Sequence, residues 1–115
     1  MKLVRIKANY TENEIEHFIL SVLVDHENNL LTDTEMFGYV VDESEDVLDR
    51  YPFIITATTN KKTLMLDYGA DSGYATSKIN LPTKKIKVGE YFTRWEEGDE
   101  EEYTYIIEKI FEIIS

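Results

Sequence analysis

Cysteine is absent from the 115 residues, which removes disulfide frameworks, thiol nucleophiles and cysteine-based zinc sites together. Histidine is scarce. His17 and His26 are the only two, and no serine stands in a recognisable nucleophile context, so no hydrolytic constellation can be read. Two prolines and five glycines leave no linker, no glycine-rich phosphate loop with a Walker lysine, and no helical zinc motif. No apolar run approaches the roughly eighteen residues of a membrane span. The stretch 1–8 alternates basic with apolar residues instead of forming a signal-peptide core, so the expected compartment is the cytoplasm. Positive charge is short as well: 12 Lys plus Arg against 23 Asp plus Glu leave −11. That balance argues against binding to nucleic-acid phosphate and to anionic lipid.

What is present is a chain that can pack. Apolar content is 43% and aromatic content 12% at 13.5 kDa, which fits one globular domain over residues 1–115. The charge lies in blocks. Residues 8–60 hold twelve acidic groups against Arg50, and residues 88–115 hold nine against Arg94 and Lys109. Between them, residues 61–87 carry six lysines against Asp67 and Asp71. Folding either averages these blocks over the surface or gathers them into an acidic face.

Periodicity favours strands. Residues 2–8 alternate strictly. Residues 53–59 and 62–68 are β-rich around Asn60-Lys61 and predict a hairpin. A strand is expected at 74–81, and Lys85–Trp95 with Tyr103–Ile113 form two long runs around a connection containing Gly98. Residues 12–31 stay open. Thr11 with Glu14 fits a capping box before helically spaced Ile15, Phe18, Ile19, Val22 and Leu23, yet the 18–24 composition suits a buried strand. Ser44 with Glu45 and Asp46 predicts a short helix running through Arg50 and stopped by Pro52. The expected class is therefore α+β: an antiparallel, β-dominated sheet with one or two helices packed against it.

No arrangement meets the requirements of a catalytic site, so the chain reads as a non-enzyme with no cofactor and no metal. Asp67 and Asp71 flank a glycine-bearing loop, but the other ligands of a calcium loop are missing. Two acidic runs stand out. One comprises Glu96, Glu97, Asp99, Glu100, Glu101 and Glu102, bracketed by Trp95, the only tryptophan, and Tyr103. The other comprises Asp42, Glu43, Glu45, Asp46 and Asp49. Hairpin solubility and helix capping would use some of these carboxylates, but both runs are more acidic than either needs. Eight tyrosines add rigid side chains of the kind that anchor protein interfaces.

A small, cysteine-free, strongly acidic domain with acidic and aromatic surface runs is similar in character to bacterial toxin-immunity proteins. The closing stretches 86–93 and 103–110 resemble those of small bacterial proteins found in such loci. The resemblance implies a binding role, the stoichiometric blocking of a basic nuclease-type toxin, and it carries over no individual residue. The partner-binding expectation is thus placed on the two acidic runs with Trp95 and Tyr103. A DNA-mimic inhibitor and a structural or phage-accessory domain oligomerising through β edges are the alternatives, and the oligomeric state stays open.

Overall fold

The computed structural model describes residues 1–13, 16–32, 36–42, 49–69 and 76–114. Eight strands follow one another: β1 (Lys2–Tyr10), β2 (Glu16–Val24), β3 (Met36–Asp42), β4 (Asp49–Ala57), β5 (Leu64–Asp67), β6 (Ser77–Ile79), β7 (Tyr91–Glu96) and β8 (Glu102–Ile114). Each pairs antiparallel with the next, and β8 returns to β1 to close a barrel. The described residues hold no α-helix, only a 3-10 turn at Leu81–Thr83. The α+β expectation is therefore overturned: the fold is an all-β barrel.

The closed sheet explains why the pattern misled. In a barrel one parity of each strand fills the interior and the other faces out. Val4, Ile6 and Ala8 of β1 are buried while Arg5 is exposed, and this strand is legible. On β2 the inward Phe18, Leu20, Val22 and Val24 are interleaved with half-buried Ile19 and Leu23, so apolar residues on both parities imitate a helical stripe. Strand formation wins because β2 is laddered on both sides, to β1 over 17–24 and to β3 over 16–21. Thr11 caps nothing. Its hydroxyl and its backbone N–H both donate to the Thr104 carbonyl, at 3.0 Å each.

The short helix expected through Arg50 gives way at Asp49 and Arg50, which open β4 as register partners of Asp42 and Val41. Residues 43–48 lie outside the described residues. Pro52 sits within β4 opposite Tyr39, beyond the Ile54–Ala57 stretch that pairs with β5, where a strand tolerates a missing donor. Of the run expected over 85–95, only 91–95 are in β7. Lys85 and Ile86 instead bond to the 28–29 turn, with Ile86 N–H donating to the Asn28 carbonyl at 2.8 Å.

Two further features set the interior. Gly38 on β3 admits no side chain, since a Cβ there would stand 2.3 Å from the Ile19 carbonyl oxygen and 3.0 Å from the Phe53 ring. The β1–β8 register slips between Lys7, paired with Lys109, and Ala8, paired with Ile107. Glu108 is therefore a bulge residue, and the inward set passes from Tyr105 and Ile107 to Ile110. Alternation alone puts Ile110 outside.

Candidate functional site

An up-and-down barrel alternates its connections between two ends. The β1–β2, β3–β4, β5–β6 and β7–β8 connections share one end, called here the mouth. At this end the strand ends of β3 and β4 meet with Asp42 in register with Asp49, and 97–101 joins β7 to β8. Glu43, Glu45 and Asp46 lie outside the described residues. Between the two hairpins the register links Asp42 to Glu16 on β2, and Glu16 reaches into the mouth toward Arg94 of β7.

Arg94 is the centre of this end. Phe92 and Arg94 both point inward from β7, and Arg94 is only 6% exposed. Its Nε donates to the Tyr105 hydroxyl at 3.2 Å, and its Nη1 donates to Ser77 Oγ at 3.3 Å and to Glu96 Oε1 at 2.8 Å. Glu16 Oε1 lies 3.9 Å from Nη2 and also accepts from the Tyr105 hydroxyl at 2.8 Å. The Tyr103 ring stacks 4.5 Å from the guanidinium carbon, a cation–π contact in a desolvated setting. Burial opposes the Arg94 charge, but the oxygens of Tyr105 and Glu96 outweigh it and hold the group protonated above its ordinary range. Burial drives the Tyr105 phenol well above the ordinary tyrosine range; Arg94 pulls it back in part and Glu16 adds to the rise. No described buried side-chain polar atom lacks a partner, and the Nε and Nη1 donors of Arg94 are engaged within this network.

Above it the β7–β8 turn is ordered by its own carboxylates. Gly98 takes φ +85°, a left-handed conformation that glycine adopts without strain. Asp99 Oδ1 accepts the Glu101 N–H at 2.9 Å. The Tyr103 hydroxyl donates to Glu101 Oε2 at 3.0 Å and to Asp99 Oδ2 at 3.2 Å, and the Glu101 bond, partial burial and Asp99 push that phenol up to about 12. Glu97 is tied to the 76 strand end, with its N–H on the Thr76 carbonyl at 2.9 Å and its carboxylate accepting from the Thr76 hydroxyl. Residues Glu97 to Glu102 are all exposed. The result is a fixed acidic rim over a buried cation.

The two aromatic brackets do not form one patch. Trp95 pairs with Lys78 and Glu102, and Arg94 with Tyr103, so Trp95 stands half-buried on the outer wall while Tyr103 faces the mouth. His17 and His26 are held apart by the length of β2, and the His26 side chain is 87% exposed. Asp67 caps the Gly69 N–H at 2.8 Å. Among the described residues no group of three His, Asp or Glu could hold a metal ion, and no helix is long and apolar enough to cross a membrane. Reading the sequence missed Glu16, Arg94, Tyr105 and Ser77. The one available signal was an arginine alternating with Phe92 and Glu96 inside an acidic block.

Set against models of known families, curated proteins and solved structures, the chain matches none of them. Fold and site together define a closed antiparallel barrel with an apolar interior and an acidic mouth.

Proposed function

We propose that this protein is a non-catalytic, cytoplasmic binding protein that neutralises a basic partner, in the manner of an immunity protein blocking a nuclease-type toxin. The observation that carries the reading is the exposed 97–102 carboxylate run, which rims the same mouth at which the strand ends Asp42 and Asp49 meet in register. Such a patch speeds encounter with a cationic surface and makes association salt-dependent. It is compact, a feature that favours one cognate partner over DNA mimicry, which needs carboxylates spread along an extended surface. Edge-to-edge oligomerisation has less to build on, because every strand is paired with a neighbour on both sides over at least part of its length.

The test is affinity capture from the native host with the whole chain tethered by its N-terminus, at the end opposite the mouth, followed by kinetics with the purified partner. A stoichiometric complex with a basic protein supports the reading if its on-rate falls with salt and slows when Glu97, Asp99 and Glu101 are changed to Gln or Asn. Unchanged rates for that triple variant at low salt would remove the mouth as the site. Trp95→Ala, which lies on the outer wall, separates an interface anchor from the rim: an anchor raises the off-rate without lowering the stability of the free protein.

A further inference from the structure

At the end of the barrel opposite the mouth the wall is interrupted. The last β7–β8 register pair toward that end is Tyr91 with Ile106, yet β8 runs on to Ile114. The chain ahead of β7 turns toward the β2 end instead, where Asn29 and Lys85 form an isolated bridge. Lys85 Nζ donates to the Glu27 carbonyl at 3.3 Å, and Asp25 Oδ1 accepts the N–H groups of Glu27 and Asn29 at 2.8 and 2.9 Å, so this turn is ordered. Between it and β8 lies a cavity of about 280 Å³. Its floor is apolar: Val4, Val24 and Ile86 are buried, and half-buried Ile110 packs against the same core. Its rim carries Lys2, Lys87 and Glu112.

We propose that this cavity binds a small aliphatic carboxylate, at a second site that rests on nothing in the partner-neutralising reading. The floor presents only aliphatic side chains, which suit a hydrocarbon tail. The rim supplies cations for an anionic head. Lys87 is exposed and forms no ion pair among the described residues. Lys2 stands 3.8 Å from Glu112, beyond hydrogen-bond reach, so its ammonium is open to a better-placed carboxylate. Two ammonium groups against one carboxylate leave this rim positive on a chain of charge −11. An alkylammonium of the same length would meet two like charges, and an alcohol would leave Lys87 without a counter-ion. Size sets the length of the tail. The volume lies just below the range of about 300–1,000 Å³ that takes drug-sized ligands. At about 30 Å³ for each water-sized unit it admits roughly nine non-hydrogen atoms, a straight-chain acid of about six carbons.

Titration of the whole chain with sodium hexanoate, followed by backbone amide NMR shifts, tests the proposal. The expected result is saturable shifts centred on residues 2–4, 24–29, 85–88 and 110–112, half complete at about 0.1–5 mM. Acetate should bind at least about tenfold more weakly, since each buried methylene is worth up to about fourfold. Hexylammonium, with the same tail and the opposite charge, should also bind at least about tenfold more weakly. Lys87→Gln should weaken hexanoate binding about two- to fivefold, and Glu112→Gln should tighten it by a similar factor because Lys2 is released. Lys109→Gln makes the same charge change at an exposed position of β8 outside the cavity and should leave binding unchanged. Ile110→Phe fills the cavity and should abolish binding; if that variant does not fold, the opposite effects of Lys87→Gln and Glu112→Gln decide alone. Absence of saturable shifts at these positions up to about 50 mM hexanoate overturns the proposal. Equal binding of hexylammonium, or an equal loss in Lys109→Gln, overturns it as well.

Discussion

Replacing Arg94 by methionine should cost about 3 kcal/mol of folding stability. The guanidinium carries three hydrogen bonds at 2.8 to 3.3 Å, to Glu96, Tyr105 and Ser77, and lies 3.9 Å from Glu16. Removing one side of a buried charge network costs about 3–5 kcal/mol, because the remaining charges are left unpaired. Here the two carboxylates are 29% and 42% exposed, so water recovers part of their solvation and the lower figure applies. Loss of the Tyr103 contact adds about 0.5–1 kcal/mol, and methionine, which fills most of the arginine stem, offsets a similar amount. Arg94→Lys keeps the charge but loses the planar fork, so it should fall between methionine and wild type. Tyr105→Phe removes a hydroxyl that accepts from Arg94 and donates to Glu16, at about 1–2 kcal/mol. The assay is urea denaturation at neutral pH for the four proteins and the Arg94→Met/Tyr105→Phe double variant. Coupling between the two sites should be about 1 kcal/mol or more. An Arg94→Met protein within about 0.5 kcal/mol of wild type, the range of an ordinary surface substitution, would refute the view that this network organises the mouth.

Gly38→Ala should destabilise the barrel by about 1–3 kcal/mol in the same assay, because the new methyl meets the Ile19 carbonyl at 2.3 Å; a neutral result would mean that β2 and β3 can part there. A phenolate titration should show Tyr103 ionising near pH 12, and Tyr103→Phe should delete that transition. The phenol lies above its ordinary 10.0 in the folded state, so its contribution is complete below pH 10 and is lost as pH rises through about 12. Stability of wild type should therefore fall more steeply over that interval than that of Tyr103→Phe. The thermal midpoint should rise with salt up to a few hundred millimolar, as screening relieves the repulsion of a −11 chain; a flat or falling midpoint would mean that the lysine-rich segment already compensates the acidic end.

Local pattern determined a good deal on its own. Alternation marked β1, the 53–59 and 62–68 hairpin and the final pair, and the charge blocks marked the two acidic runs. These features are legible because neighbouring side chains on a strand must face opposite ways. Closure of the barrel decided the rest. It turned the apolar parities of β2 into an interior and a wall, where chain order alone left helix and strand equal. It assigned Trp95 to the outside and Tyr103 to the mouth, a distinction resting on the Arg94–Tyr103 register. The Glu108 bulge moved Ile110 inward, and a one-residue slip of this kind reverses every facing beyond it. The meeting of Glu16 with Arg94 across the lumen joins residues 78 positions apart in the chain. Which carboxylate neutralises that arginine depends on strand order and shear, quantities that belong to the closed sheet and to no segment of the sequence.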